Sequence, residues 1–574
     1  MRIKCFVLIG IMGFALLADC GESAHGRNPS TSKAPDRFSK VRAMIQDILQ
    51  KGGAPSLSIA VAENGNVVWE ESFGYADREK KTVATPDSLY ALASISKSFT
   101  ATGLMVLAER GRLDLDKPVN DYLGEAKLVW PAGDAAQATV KRMIYLEAGM
   151  PMHWNIFPTS KPERPPARDE SIRRYGIIVN EPGQEYVYSN FAYGVLDQVI
   201  ARVSGRSYTQ FMSEEVFKPL AMSRTAVHVP PELAAFTVQN YDEAGKPLPV
   251  LAYDHDGASA VYGSVHDLIR FGLFHLKSRV PGQKPILRES SLDRLHTPSE
   301  LRAEGESLGE ARMGMGWGVV DVSGVRFVIA SGAAPGTMSR LTLIPASNVA
   351  VALLCNASLP DELALWKIEW ETFAALVPNL PVRPEIPENK IPAFEPPREL
   401  LGEWEGSVRT YQGTLPLKLS VRSAREISIE LDGRPGAPIP INTYLGSLGF
   451  QKGWLSGLFS ASIPTGDAQR SPHVVFLRLK LQGDVLAGTV SAVAIDKTFA
   501  LPHWASLKRK SQAGCSRTAF LHGGQNARTT YRPQPERRLP DAPDTVVFSG
   551  DGEPASGCTH TRPQGSGAGR PARL

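Results

Sequence analysis

Cysteine is scarce in this chain, with five in 574 residues. The five are Cys5, Cys20, Cys355, Cys515 and Cys558, and no two of them form a Cys-x-x-Cys pair. Their spacing supports neither a disulfide framework nor a cysteine zinc site. The 11 histidines show no metal-ligand spacing, and no His-Glu-x-x-His motif occurs. The sequence therefore predicts no metal site.

An excess of charge of one sign is also missing. Lys and Arg together number 63 and Asp and Glu 59, which gives a net charge of +4. The apolar share of 43% and the charged share of 21% are ordinary globular values, so a wholly disordered, collagen-like or coiled-coil chain is excluded. The positive charge is concentrated in residues 509–574, and the balance gives no argument for a nucleic-acid partner.

Long apolar runs are absent after the N-terminus. Arg2 and Lys4 precede an apolar stretch from Cys5 to Leu17, which is short for a membrane span and typical of an export signal. The segment that ends at Cys20 resembles a bacterial lipobox, which would make the protein a membrane-anchored lipoprotein. Ordinary cleavage nearby, giving a soluble periplasmic or secreted protein, is the alternative. The rest of the chain has no predicted membrane span.

Proline-rich segments and the alternation of apolar with polar residues indicate where the domains begin and end. Seven prolines between Pro378 and Pro397 indicate an extended linker. The Arg-, Pro- and Gly-rich residues after Ser511 have too little apolar surface to fold. The predicted units are a signal peptide at 1–20, a flexible leader at 21–36, a mixed helix and strand domain at 37–377, a linker at 378–398, an antiparallel β domain at 399–508 and a disordered basic tail at 509–574.

Local patterns predict the elements inside the two domains. Asn64-Gly65 lies between two apolar runs, which is a strong signal for a β-hairpin. Apolar residues at helical spacing predict a helix over 94–110 that ends at Gly111. Leu417, Leu419 and their neighbours alternate with polar residues, as do 427–431 and 477–481, which predicts antiparallel strands. Gly402-x-Trp404 resembles the opening of lipocalin-like barrels.

A Ser-x-x-Lys tetrapeptide begins the predicted helix. Positions i and i+3 share a helix face, so Lys97 would stand beside Ser94. A serine hydroxyl needs an adjacent base to act as a nucleophile, and a lysine can be that base if burial lowers its pKa. The N–H groups at the start of the helix could stabilise an oxyanion. The alternative is a capping Ser94 and a solvated Lys97.

A second polar motif lies at Tyr188-Ser189-Asn190. A tyrosine near a lysine can transfer protons, and Asn190 could hydrogen bond to a substrate amide. The alternative is that the motif only forms a turn.

Together these motifs resemble those of the serine β-lactamase-related hydrolases, near the class C β-lactamases and DD-peptidases. Ser94-x-x-Lys97 is similar to the first family motif, and Pro182-Gly183 followed by Tyr188-Ser189-Asn190 is similar to the second. Further similar segments occur at 139–151, 219–222, 261–272 and 314–318. The resemblance covers roughly residues 40–375 and implies a mostly antiparallel sheet flanked by helices, with the active cleft between them.

The third family motif differs here. The family has Lys-Thr-Gly or His-x-Gly on a strand beside the serine, whereas this chain has Ala330-Ser331-Gly332. The resemblance implies that Ser331, Gly332 and Asn190 bind substrate, and that the N–H groups of Ser94 and Ala333 hold the oxyanion. Ala330 removes a cation or imidazole, which argues against efficient hydrolysis of β-lactams that carry a carboxylate.

Two competing interpretations concern other residues. Ser307 lies in a G-x-S-x-G pattern, but the residues before it are polar, which favours a surface loop over a nucleophile elbow. His153 could line the cleft, or it could be a packed histidine. Cys355 lies in an apolar run and is interpreted as a buried small hydrophobic residue.

The resulting prediction is an α/β (α+β) serine hydrolase with a β-lactamase/transpeptidase-like domain and a C-terminal all-β lipocalin-like domain. Ser94 would form an acyl-enzyme with an ester, amide or peptide substrate, and Lys97 and Tyr188 would transfer the protons. No cofactor is required. The alternative, suggested by Ala330, is a catalytically silent relative that binds cell-envelope peptides or a protein partner. The sequence does not predict an oligomeric state.

Overall fold

The computed structural model describes residues 36–301, 311–359, 361, 363–384, 393–440 and 448–510. The predicted signal peptide, most of the leader, the middle of the linker, Ser307 and the tail after residue 510 lie outside these ranges. Within the described residues, no helix is long and apolar enough to cross a membrane. The helices are α1 (Ser39–Gln50), α2 (Ser96–Glu109), α3 (Val140–Ile144), α4 (Arg168–Tyr175), α5 (Asn190–Ser204), α6 (Tyr208–Met212), α7 (Asp256–Ser259), α8 (Val265–His275), α9 (Glu289–His296) and α10 (Ala364–Ala374).

Residues 36–377, here called the helix–sheet region, contain all of these helices and a large antiparallel sheet. Its strands are β1 (Ser56–Glu63), β2 (Asn66–Asp77), β3 (Thr82–Val83), β4 (Tyr90–Ala91), β5 (Trp154–Pro158), β6 (Thr225–Val227), β7 (Leu251–Tyr253), β8 (Val261–Gly263), β9 (Arg312–Met313), β10 (Gly318–Val322), β11 (Val325–Ala334), β12 (Thr337–Ile344) and β13 (Val349–Cys355). The large sheet has the order β3-β2-β1-β13-β12-β11-β10-β9, and a small sheet has the order β4-β8-β6.

The large sheet is covered on both faces. Every residue of β13 is buried, because helices α1 and α10 pack on one face of the sheet and the larger helical group with α2 and α8 packs on the other. Cys355 at the end of β13 is fully buried, as predicted. An apolar run with no polar alternation is what a strand needs when both of its faces are buried.

The predicted hairpin and helix are confirmed. β1 and β2 pair antiparallel, and the turn residues Asn64 and Gly65 both have positive φ, at 50° and 82°. That backbone is the reason Asn-Gly is favoured in a two-residue hairpin. The predicted helix is α2, preceded by a short 3-10 turn at Ala93–Ile95, and Gly111 follows it with φ of 67°.

Residues 398–510, here called the C-terminal β region, form an antiparallel sheet. Leu417, Leu419 and Val421 are buried while alternate residues are more exposed, which confirms the two-residue period read from the sequence. The strands are β14 (Gly402–Thr410), β15 (Gly413–Val421), β16 (Ile427–Leu431), β17 (Arg434–Gly436), β18 (Gly449–Gln451), β19 (Trp454–Phe459), β20 (His473–Gln482), β21 (Val485–Ala494) and β22 (Phe499–Arg509). Their order is β17-β16-β15-β14-β22-β21-β20-β19-β18.

The two regions share this second sheet, a feature that the sequence did not predict. β5 of the helix–sheet region pairs antiparallel with the beginning of β22, and β7 pairs with β5. The Trp154 indole donates to the Lys497 carbonyl at 3.0 Å, and Asp467 accepts a hydrogen bond from the Tyr175 hydroxyl. The described residues up to 510 accordingly form one compact unit.

Candidate active site

Ser94 and Lys97 lie side by side at the start of α2. The Nζ atom of Lys97 is 3.0 Å from the Oγ atom of Ser94. Ser94 is half-buried in the 3-10 turn Ala93–Ile95, which precedes α2, and Lys97 is only 4% exposed. The alternative of a solvated Lys97 is therefore wrong. A lysine buried to this degree needs a specific environment, because its ammonium form is costly to remove from water.

The residue before Ser94 has an unusual backbone. Ala93 has φ of 46°, which lies in the left-handed region that residues other than glycine rarely adopt. Such conformations cost on the order of 1–3 kcal/mol and persist where the surrounding packing enforces them. Here the turn brings the chain from β4 into α2 within a few residues and leaves the Ser94 hydroxyl facing the Lys97 side chain. No pattern in the sequence indicates this strain.

The second motif meets the first through direct hydrogen bonds. The Tyr188 hydroxyl lies 2.7 Å from Ser94 Oγ and 2.8 Å from Lys97 Nζ. Asn190 is the first residue of α5, whose N-terminus is capped by Ser189, and its Oδ1 atom accepts from Lys97 Nζ at 2.7 Å. The segment is therefore more than a turn, because two of its side-chain atoms make three contacts with Ser94 and Lys97 at hydrogen-bond distance.

Burial sets the protonation of Lys97. Its pKa is well below the usual value of a lysine because the side chain is removed from water. A neutral amine has two N–H bonds and one lone pair. Two carbonyl oxygens near Nζ can accept the N–H bonds, Asn190 Oδ1 at 2.7 Å and the backbone oxygen of Ala258 in α7 at 3.3 Å. The lone pair is then left for the hydroxyls of Ser94 and Tyr188, so the site can remove a proton from either.

The third motif lies on β11, against the segment that carries Ser94. A Cβ atom added to Gly332 would lie 2.2 Å from the Leu92 carbonyl oxygen and 2.9 Å from the Ser94 nitrogen, so only glycine fits this approach. Ala330 is 4% exposed and packs in the core on the face of the sheet that α2 and α8 cover. Ser331 and Ala333 are exposed and alternate with these two residues along β11.

A buried cluster of three ionisable side chains, His153, Asp254 and His255, lies near the junction with the C-terminal β region. The Asp254 carboxylate accepts from His255 Nδ1 at 2.6 Å, from His153 Nε2 at 3.0 Å and from Asn155 Nδ2 at 3.2 Å. His153 is 1% exposed, so it is a packed histidine and does not line the cleft. Because His153 and Asn155 are about a hundred residues from Asp254, spacing in the sequence could not reveal the cluster.

These three side chains are the described residues whose ligand atoms are close enough to hold a metal ion. The hydrogen bonds explain the cluster without one, since both carboxylate oxygens of Asp254 are already engaged. Burial alone would raise the pKa of Asp254, but the two histidines lower it overall. The carboxylate is therefore ionised, and its negative charge interacts electrostatically with Arg168 and Arg470. An added divalent cation would be repelled by these guanidiniums.

The chain is similar in sequence to known proteins. Protein flp of Staphylococcus aureus (strain MW2) is 31% identical over 191 residues, which is 33% of this chain and 38% of that protein. Penicillin-binding protein 4* of Bacillus subtilis (strain 168) is 29% identical over 178 residues, which is 30% of this chain and 38% of that protein. The chain thus spans under half the length of these curated relatives.

Solved structures share the fold. The octameric penicillin-binding protein homologue from Pyrococcus abyssi matches 82% of this chain and 100% of its own, with a TM-score of 0.51 and 19% identity. A class C beta-lactamase matches 62% of this chain and 100% of its own, with a TM-score of 0.53 and 17% identity. The family model described as "Beta-lactamase" matches residues 41–372, which is more than half of the chain. The chain therefore belongs to the beta-lactamase family.

Proposed function

We propose that this protein is an exported serine hydrolase that acts through an acyl-enzyme on Ser94. The observation that carries the proposal is the direct contact of Lys97 Nζ with both Ser94 Oγ and the Tyr188 hydroxyl, at 3.0 and 2.8 Å. A nucleophile, a base with lowered pKa and a second proton carrier within hydrogen-bond reach are what serine acyl transfer requires. Family membership supports serine hydrolase chemistry in general. Export rests on the basic and apolar N-terminal residues.

In the proposed reaction, Lys97 accepts the proton of Ser94, directly or through Tyr188. The freed Oγ attacks the substrate carbonyl carbon and forms a tetrahedral intermediate. The backbone N–H groups of Ser94 and Ala333 are proposed to hold its negatively charged oxygen. The intermediate collapses, the bond to the leaving group breaks, and the proton held by Lys97 and Tyr188 passes to that leaving group.

In the second half of the reaction, deacylation, Lys97 and Tyr188 transfer protons in the opposite direction. A water molecule loses its proton to the same pair and attacks the acyl carbon. The Ser94 ester bond breaks, the proton returns to Ser94, and the acid is released. We assign Asn190, Ser331 and Gly332 to substrate binding. For Asn190 the assignment rests on its amide, which has an NH₂ group to donate while its oxygen accepts from Lys97.

Hydrolysis of a neutral p-nitrophenyl ester by matched serine variants tests the proposal. Ser94→Ala should lower kcat/KM by several powers of ten, as expected when a nucleophile is removed. Ser307→Ala, in the competing motif, should leave it within about two-fold of wild type, because the polar residues before Ser307 do not predict a nucleophile elbow. Loss of activity in Ser307→Ala with retention in Ser94→Ala would refute the proposal. Wild-type protein that neither turns over nor acylates would favour the binding role instead.

A further inference from the structure

The C-terminal β region contacts the segment that carries Tyr188, and it does so at Glu185. One carboxylate oxygen of Glu185 lies 2.7 Å from Lys480 Nζ and 3.0 Å from the Trp454 indole nitrogen. Arg478 lies 3.7 Å from the other oxygen. Trp454 and Lys480 are direct cross-strand partners on β19 and β20, so two adjacent strands approach the same carboxylate.

These three side chains, Trp454, Arg478 and Lys480, form what we call the β19–β20 clamp. The Arg478 guanidinium lies 4.4 Å from the Trp454 ring centroid, and Lys480 Nζ lies 5.2 Å from it. The cations therefore stack on the indole that also donates to Glu185. Because alternate residues on a strand share a face, Arg478 and Lys480 can contact one carboxylate together.

The contact is partly removed from water. The side chains of Glu185, Arg478 and Lys480 are 26%, 31% and 34% exposed. Burial alone would raise the pKa of Glu185, but the hydrogen bonds from Lys480 and Trp454 outweigh it and lower that pKa. Glu185 is therefore ionised at neutral pH, and its contacts are charge-assisted hydrogen bonds, the stronger kind.

The segment between Glu185 and α5 contains no helix or strand. Glu185 precedes Tyr188 by three residues, which is roughly 10 Å of extended chain. Within that stretch, the Val187 nitrogen donates to the Leu146 carbonyl at 2.9 Å, and beyond it the Ser189 side chain caps α5. Glu185 thus fixes the upstream end of a short irregular segment whose downstream end delivers the Tyr188 hydroxyl to Ser94.

We propose that the C-terminal β region positions Tyr188 for proton transfer by holding Glu185 in the β19–β20 clamp. Glu185 and Lys480 act as positioning residues, and Tyr188 remains the residue that contacts the reacting atoms. This inference rests on the proposed function of Ser94, Lys97 and Tyr188. It gives the C-terminal β region an indirect role in the reaction.

A double-mutant cycle in the full-length chain tests the proposal. Lys480→Met should lower kcat for the ester on the order of 10-fold to 100-fold with KM nearly unchanged, because small displacements of a proton carrier have effects of that size. Lys480→Arg should retain most of the activity. In a Tyr188→Phe background, Lys480→Met should cause little further loss, since the hydroxyl it positions is gone. Lys418→Met is the matched control, because Lys418 forms an exposed 2.7 Å ion pair with Glu430 in the same region.

The outcomes separate this inference from the proposed function. Equal loss from Lys480→Met in both backgrounds, or no loss in either, would overturn the positioning role. Hydrogen–deuterium exchange supplies a readout that does not need turnover. Residues 185–189 should exchange faster in Lys480→Met than in wild type or Lys418→Met, and unchanged exchange would overturn the inference. A wild-type protein that neither hydrolyses the ester nor forms an acyl adduct would instead refute the function of Ser94, while the exchange result still decides the positioning claim.

Discussion

The Oδ1 atom of Asn190 lies 2.7 Å from the Nζ atom of Lys97 and accepts one of its hydrogen bonds. The same nitrogen donates toward the Ala258 carbonyl at 3.3 Å. These two acceptors are neutral, so they orient the amine without stabilising its charged form as a carboxylate would. Orientation by neutral acceptors, together with burial, explains how a lysine can serve as a base beside Ser94.

Replacing the amide by a carboxylate tests this explanation. Asn190→Asp should raise the pKa of Lys97, because an adjacent negative charge favours the ammonium form. The acid limb of the kcat/KM profile should then shift to higher pH by about one unit or more, with up to a ten-fold loss per unit at pH values below the pKa of the base. Asn190→Ala should lower activity without that shift. An unshifted limb in a folded Asn190→Asp protein would show that Lys97 does not act as the base.

Gly332 is expected to tolerate no side chain. A methyl group there would overlap the Leu92 carbonyl and crowd the Ser94 nitrogen, at 2.2 and 2.9 Å. Gly332→Ala should therefore displace the Ser94 turn and lower esterase activity by at least about ten-fold, with a lower Tm. Gly318→Ala on the neighbouring strand is the matched control, because its new methyl group meets nothing closer than 3.6 Å. Similar activity in the two variants would mean that β11 does not contact the nucleophile segment as described.

The missing cation at position 330 should affect substrate preference. Ala330 cannot form a charge-assisted hydrogen bond with a substrate carboxylate, an interaction worth roughly 1.5–3 kcal/mol. A penicillin and its methyl ester differ only in that carboxylate. We expect the ester to acylate the protein at least as fast as the parent acid, measured as the second-order rate of adduct formation by intact mass. Acylation by the acid that is faster by about ten-fold or more would indicate that another cation binds the carboxylate.

Buried histidines should make the fold sensitive to acid. Burial, aided by repulsion from His153, lowers the pKa of His503 to about 3, whereas an exposed histidine titrates near 6.5. Between these values the unfolded chain binds a proton that the folded chain does not. The free energy of unfolding therefore falls as pH drops below about 6.5, by up to ~1.4 kcal/mol per pH unit from this residue.

Thermal melts of two variants, each with a histidine replaced by leucine, test the direction of this pH dependence. Between pH 7 and pH 4.5, the Tm of His503→Leu should fall by less than the Tm of wild type. The pKa of His266 is raised by its hydrogen bond to Glu70, so this histidine stabilises the fold at low pH and His266→Leu should lose at least as much Tm as wild type. Equal acid sensitivity in His503→Leu and wild type would contradict the neutral, buried state of His503.

The parts of the site that follow from local sequence were predictable. The spacing of Ser94 and Lys97 on a helix, the Asn64-Gly65 hairpin and the alternating strands of the C-terminal β region all depend on neighbours within a few residues. The family motifs also brought Tyr188 and Asn190 into consideration, although their contacts with α2 span more than 90 residues.

The remaining features depend on packing between distant segments. Glu185 and Trp454 are separated by 269 residues, and the pairing of β5 with β22 joins two regions that lie on either side of the Pro-rich linker in the sequence. The positive φ of Ala93 is imposed by the surrounding packing and has no composition signal. Long-range pairing of this kind has no periodicity along the chain, so a single sequence does not predict it.

Covalent labelling of Ser94 tests the central claim most directly. A fluorophosphonate probe should add once per wild-type chain, and the modified tryptic peptide should span residues 82–97, which contains Ser88, Ser94 and Ser96. Fragmentation of that peptide assigns the adduct to one serine. We predict an adduct on Ser94 that is absent from Ser94→Ala and strongly slowed in Lys97→Met, because the hydroxyl then loses its base. A stoichiometric adduct on Ser307, or none on Ser94 in folded wild-type protein, would contradict the account.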